Sequence, residues 1–240
     1  MAAGGLGFAV QPIHAADNNN EILYAESLAR VTDADGVVHA AGSFMPHLDS
    51  RFDLDPRILA MLLPALAADP KLILGWNLSA ANLAASDRFA DIFGRITRHS
   101  ELARRLVVEV TEPHPLVGSA IERLKMIRAL GCRIAIDDFG VGFATPASLL
   151  QVSVDIVKID ASFVRDIRPG RDGQDSLSHM VGFASCIAPV VVVEGVETET
   201  QLEAVRRAGA THVQGFLLSR PAALPLFREK EGRSGLRGIG

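Results

Sequence analysis

Short apolar runs recur down the chain at Leu72–Trp76, Leu106–Val110, Arg133–Ile136, Ile156–Ile159, Val190–Val193 and Thr211–Val213, and stretches of helical periodicity separate them. Runs of this length, rich in Val and Ile and closed by glycine or acids, read as strands buried on both faces. Parallel strands need a crossover between them, and a helix is the usual one. Upstream, Phe8–Ile13 reads as a strand and a second begins at Ile22-Leu23-Tyr24, with only the polar turn around Asp17–Asn20 between them. That connection is too short for a helix, so these two strands must run antiparallel. Eight strands in this order predict an α/β fold, a modified (β/α)8 TIM barrel with an antiparallel first strand.

Helix boundaries fit the same frame. Asp55-Pro56 predicts a cap followed by proline at the first helical position, ahead of Ile58, Leu59, Leu62, Leu63 and Leu66. Ser86-Asp87 precedes Phe89, Ile92, Phe93 and Ile96 at helical spacing. Ile121, Leu124, Ile127 and Leu130 lead to a stop at Gly131, and Thr198-Glu199-Thr200-Gln201 has the form of a capping box, with Gly209 closing its helix.

A length of 240 residues suits one such barrel. Residues 1–7 read as an N-terminal extension without the charged and apolar regions of a secretory signal, 8–227 as the barrel domain, and the charged, glycine-rich 228–240 as a flexible tail. No apolar run approaches the length needed to span a bilayer, so no membrane insertion is expected. Cys132 and Cys186 form no CxxC pair and read as small core residues of a reduced, cytoplasmic protein. The histidines are scattered, without metal-binding spacing. A formal net charge of -4 supplies no basic face for DNA, though a small nucleotide is not excluded.

Polar residues fall where the strands end. Glu26 follows the second strand, Asn77 ends the third, Glu109 is near the end of the fourth, and Asp137 and Asp138 end the fifth. Lys158 and Asp160 lie on the sixth, Glu194 and Glu197 on the seventh, and Gln214 on the eighth. Each alone has an ordinary structural explanation, as a turn, a strand-end ion pair or a supporting hydrogen bond. Together they converge on one rim of a closed barrel, which core packing does not select. Glu26, Glu109, Asp137, Asp138 and Glu194 against Lys158 leave four negative charges in excess, matched by two divalent cations. An all-oxygen donor set favours the hard ions Mg2+ or Mn2+ over zinc, and a two-metal carboxylate site suits displacement at phosphorus.

At these positions the chain resembles a known family. Glu26-Ser27-Leu28-Ala29-Arg30 is similar to the Glu-Ala-Leu-x-Arg motif of the EAL domains, bacterial cyclic di-GMP phosphodiesterases. Gln11-Pro12-Ile13, Phe44-Met45-Pro46, Asn77-Leu78-Ser79, Glu109-Val110-Thr111-Glu112, Asp137-Asp138-Phe139-Gly140, Lys158-Ile159-Asp160, Glu194-Gly195-Val196-Glu197-Thr198 and Gln214-Gly215-Phe216 follow in family order. The resemblance runs from about Phe8 to Pro221. It implies hydrolysis of cyclic di-GMP to linear pGpG on two Mg2+ or Mn2+ ions. By motif position, Glu26, Asn77, Glu109 and Asp137 would ligate one metal, and Asp137 would bridge to a second that Asp138 also holds. Lys158 would orient the attacking water or stabilise developing charge, and Glu194 would be the base or a water-mediated ligand. Asp160 belongs to the matched lysine motif, Glu197 and Gln214 would support that shell, Glu112 would anchor the loop after the fifth strand, and Gln11 and Arg30 would contact substrate, Arg30 through a phosphate. A homodimer and a regulatory domain or partner protein are implied by the resemblance only.

Two departures bear on activity. Ser27 replaces the alanine of the naming motif, a small-for-small change. Beyond Gly140, the family's Thr, Tyr, Ser, Ser and Leu are replaced by Val141, Phe143, Ala144, Thr145 and Pro146, which removes hydroxyls and stiffens the loop that in the family couples dimer packing to metal binding. Two other readings therefore stay open: a silent cyclic di-GMP receptor or scaffold, and another Mg-dependent barrel enzyme such as an enolase-like lyase.

Overall fold

The structure, a computed structural model, describes residues 5–45, 53–111, 118–141 and 153–224. Strands β1 (Gly5–Ala15), β2 (Ile22–Thr32), β3 (Val38–Ala40), β4 (Leu74–Ser79), β5 (Leu106–Thr111), β6 (Arg133–Phe139), β7 (Ile156–Ile159), β8 (Val190–Val193) and β9 (His212–Val213) form one sheet. Strand β1 pairs antiparallel with both β2 and β9, while β2, β4, β5, β6, β7, β8 and β9 pair in parallel around the rest of the ring. Eight strands thus close the barrel, with the antiparallel entry that the short first connection requires. No helix of the described residues is long and apolar enough to cross a membrane.

Cys132 is buried as expected, but Cys186 is exposed where the helix Ser176–Ser185 ends, so it is not a core residue. Several boundaries also differ from the sequence reading. Strand β1 begins at Gly5, before the expected start at Phe8, because Gly5, Leu6 and Gly7 pair with Thr32, Val31 and Arg30. Glu26 therefore lies inside β2 rather than after it. Cross-strand pairing with β1 and β3 carries β2 past the apolar run that marked it. The added strand β3 pairs outside the ring with Arg30–Thr32. Asp55 is not a cap and Pro56 is not the first helical residue: the helix Leu54–Ala68 has Asp53 in the cap position and Pro56 third. Asp55 instead accepts from Ser79 N at 2.8 Å and Asn82 Nδ2 at 2.7 Å, tying the helix to the end of β4. The capping box is present, with Thr198 accepting from Gln201 N and the Gln201 side chain returning to the Thr198 N–H, and Gly209 closes that helix with φ 83°.

The parity of the strands sorts the core into two parts. Outward-facing Trp76, Val108, Ile134, Ile136, Val157 and Val193 pack beneath the helices. Inward-facing Ile13, Tyr24, Val107, Ala135, Ile156 and Val192 form a separate apolar layer inside the ring. Two residues further along most of these strands the inward positions become polar: Glu26, Glu109, Asp137, Lys158 and Glu194. An apolar floor therefore carries a charged ring.

Candidate metal-binding active site

The ring closes on a lysine. Lys158, fully buried on β7, places Nζ 3.1 Å from Glu26 Oε2, 2.7 Å from Glu109 Oε2, 2.9 Å from Asp137 Oδ1 and 2.8 Å from Glu194 Oε1. One ammonium thus serves four carboxylates. Around Glu26, Asn77 Nδ2 donates to Oε1 at 3.1 Å and Gln214 Nε2 to Oε2 at 2.9 Å. Gln11, opposite Glu26 in register, donates to Ser219 O at 3.0 Å.

Successive strand residues face opposite sides, so Asp137 and Asp138 could not share the rim of a regular strand. The β6–β7 register solves this, because Ile136 faces Val157 while Phe139 faces Ile159, leaving one extra residue on β6. Within that bulge Asp138 has φ 53°, the one positive φ at a non-glycine among the described residues. Such a conformation costs of order 1–3 kcal/mol and persists where surrounding structure enforces it. It brings both acids to one place: oxygen atoms of Asp137, Asp138 and Glu194 all lie within 4.8 Å of one another, as do those of Glu26, Glu109 and Asp137. Asp137 belongs to both groups.

The charge balance explains the acidities. Burial pushes Glu26 up, but the Lys158 ammonium and the amide donors of Gln214 and Asn77 outweigh it and leave Glu26 below its usual range. Burial wins at Glu109, held well above, and at Asp137, also raised, despite Lys158. Burial and the Asp137 charge lift Asp138 to about 6, and burial lifts Glu194 to about 8. Burial works against the charged form of Lys158, yet its four acids raise it well above an ordinary lysine. The ring holds more anion than one lysine can compensate.

Divalent cations fit this donor set. Glu109 Oε1 is buried without a hydrogen-bond partner. Asp137 Oδ1 also lacks a properly directed hydrogen bond, although its ion pair with Lys158 is close. Two oxygen triads sharing a carboxylate, one with an orphaned oxygen, are what a pair of hard ions would complete. Glu26, Glu109 and Asp137 could hold one, and Asp137, Asp138 and Glu194 the other.

Other expected residues lie further out. The Arg30 guanidinium folds onto its own strand, donating to Ala29 O at 2.9 Å and Leu28 O at 3.4 Å. Asp160 accepts from Ser162 N at 2.9 Å at the start of the short helix Ser162–Arg165. Glu197 is exposed on the edge of a cleft of about 250 Å³ that Gln11, Glu26, Glu194 and Gln214 also line. Glu112, the replaced positions 143–146, Pro46 and the tail 228–240 lie outside the described residues. Ser27, behind the ring, donates its hydroxyl to Gly75 O at 2.5 Å, so the substitution adds a link between β2 and β4. Sequence reasoning missed Arg165, which joins the cleft without any spacing signal, and Tyr24 and Gly75, which lie beneath the acids. A Cβ on Gly75 would stand 1.9 Å from Glu109 Oε1 and 2.6 Å from Tyr24 Cε2, so this glycine makes the room that both side chains use.

Fold and site together define a barrel protein with a cation-ready acidic mouth at the carboxyl ends of its parallel strands. The EAL domain sequence model matches residues 1–221, and the chain belongs to the EAL domain family. It is 31% identical over 211 residues to the cyclic di-GMP phosphodiesterase PdeF of Escherichia coli K12, covering 84% of this chain and 28% of PdeF. The chain thus spans less than a third of that relative's length. An EAL domain protein from Listeria monocytogenes superposes with a TM-score of 0.80 at 26% identity, covering 90% of this chain and 88% of that one. The PaMucR phosphodiesterase in its c-di-GMP complex superposes with a TM-score of 0.72 at 28% identity, covering 91% and 92%.

Proposed function

We propose that the chain hydrolyses cyclic di-GMP to linear pGpG with two divalent cations, Mg2+ or Mn2+, seated in the acidic ring. The observation that carries this reading is the pair of three-carboxylate groups sharing Asp137 beside a buried lysine. Relatives named as cyclic di-GMP phosphodiesterases, and a structural neighbour solved with c-di-GMP, supply the substrate. Bound there, the cations would polarise the phosphodiester and acidify water. Asn77 and Gln214 orient Glu26 through its two oxygens. Lys158 gathers the four acids and offers its positive charge to the developing negative charge on phosphate. Glu194 lines the cleft and takes the proton of the attacking water. Gln11, on the same cleft wall, and Arg30, higher on β2, contact the dinucleotide, with Glu197 and Asp160 supporting the loops beside it. The homodimer and the regulatory domain or partner belong to the same reading, as does a cytoplasmic setting.

The test is purified protein with cyclic di-GMP and Mn2+, with product separated by chromatography and binding measured in parallel. Turnover in the wild type and its loss by more than about 100-fold in Glu26→Ala is the expected result, since a metal ligand and its charge are removed together. Tight binding without product would instead make the chain a receptor, and neither binding nor turnover would sink the substrate assignment.

A further inference from the structure

Besides Asp137 Oδ1, which the Lys158 ammonium reaches, two buried side-chain atoms among the described residues lack a hydrogen-bond partner: the Tyr24 hydroxyl and Glu109 Oε1. They are neighbours. Tyr24 points into the barrel from β2 and Glu109 from β5, and Gly75 on the intervening strand β4, having no side chain, lets the two approach each other over it. The point where a Gly75 Cβ would sit is 1.9 Å from Glu109 Oε1 and 2.6 Å from Tyr24 Cε2, so those atoms are separated by no more than these two distances combined. Cε2 adjoins the carbon that bears the hydroxyl. Both residues are almost wholly removed from solvent, at 1% and 0% exposure, Tyr24 within the apolar floor of Ile13, Val107, Ala135, Ile156 and Val192 and Glu109 in the ring just above it.

Leaving a phenol and a carboxylate oxygen both buried and unsatisfied costs each its full desolvation penalty. As placed, the two groups are not bonded to each other, so a bond from phenol to carboxylate takes a small turn of either side chain or one bridging buried water, and either removes both deficits together. We infer that Tyr24 is a positioning residue whose hydroxyl donates to Glu109 Oε1 from beneath the ring, fixing the carboxylate that Lys158 holds through its other oxygen. The inference rests on the metal-seat reading above for its consequence, though not for the contact itself. Held from both sides, Glu109 still has a second acceptor site on each oxygen for a cation, and it need not be recruited from another rotamer. The phenol acts through Glu109 and touches neither substrate nor ion.

The chain carries one tyrosine, which gives the test a direct signal. Mg2+ has no absorbance of its own, so titrating it into wild-type protein while recording near-ultraviolet difference spectra reports on Tyr24. The single tryptophan, Trp76, faces the helix side and bonds to Asp55 O, away from the ring. A saturable tyrosine difference spectrum is expected, absent in Tyr24→Phe, with Mg2+ affinity measured by calorimetry weakened about 10-fold or more in that variant. In metal-free protein, Tyr24→Phe should lower the melting temperature in the wild-type background and do so less in a Glu109→Gln background. Full Mg2+ binding with no tyrosine signal and no loss in Tyr24→Phe would overturn the inference. So would equal melting shifts in both backgrounds. If wild-type protein binds no Mg2+, the metal reading fails, and the metal-free comparison alone decides whether the Tyr24–Glu109 contact stands.

Discussion

Gly75→Ala gives the floor-and-ring arrangement its sharpest trial, because a single methyl meets two buried side chains at once. The new Cβ would stand 1.9 Å from Glu109 Oε1 and 2.6 Å from Tyr24 Cε2. An ordinary contact needs about 3.5 Å, so the carboxylate oxygen must retreat by roughly 1.5 Å or the strand must move. The strand is pinned, since Gly75 pairs with Glu26 on one side and Val107 on the other. Neither Tyr24 nor Glu109 has solvent to swing into. Overpacking of this kind costs about 1–3 kcal/mol, and the lower entropy of an unfolded alanine chain returns about 0.4–1 kcal/mol. Midway through these ranges the net loss is about 1.3 kcal/mol, which lowers the melting temperature by about 3–5 °C for a domain of this size. Thermal denaturation by circular dichroism in EDTA measures it, and Mn2+ calorimetry should show weaker binding because Glu109 is displaced. A variant as stable as the wild type, with unchanged Mn2+ affinity, would refute the crowding beneath the ring.

Two further outcomes follow from the same geometry. Lys158→Met removes the ammonium shared by four acids, and stranding buried charge in this way costs about 3–5 kcal/mol in the metal-free protein, a deficit that saturating Mg2+ should shrink; an unchanged melting temperature in EDTA would contradict the hub. His212, at the lower end of β9, is held below its usual range first by burial and then by Arg133, against the pull of Glu21 and Asp17. A depressed folded pKa means that its stability contribution is present above the unfolded value and is lost as pH falls below it, so wild-type melting should drop more steeply than that of His212→Asn between about pH 7.5 and 5, and parallel curves would remove His212 from the account.

What could be read in the sequence was whatever one segment states by itself. Apolar runs ending in an acid marked β5, β6 and β8, and the short Asp17–Asn20 turn dictated the antiparallel entry. Thr198 and Gln201 announced their helix because a capping box is complete within four residues. Features built by two distant segments were not legible. Strand β3 has no apolar run of its own and exists through its pairing with Arg30–Thr32. Asp55 looked like a cap because it precedes Pro56, yet its carboxylate is claimed by Ser79 and Asn82 across the fold. The residue types of the ring were visible, but not the convergence of four acids on Lys158, nor the bulge that turns Asp138 to the side of Asp137. Gly75 and Tyr24 each look unremarkable until their strands are placed side by side.

The uncharged layer of Ile13, Tyr24, Val107, Ala135, Ile156 and Val192 has one further effect. A plug with no ionisable group at neutral pH blocks passage of ions and phosphates along the barrel axis, so the chamber above it is a cul-de-sac. On the proposed function, substrate, product and cations would all use the one mouth above this floor. Traffic through that mouth is then open to control by whatever closes over one face of the molecule.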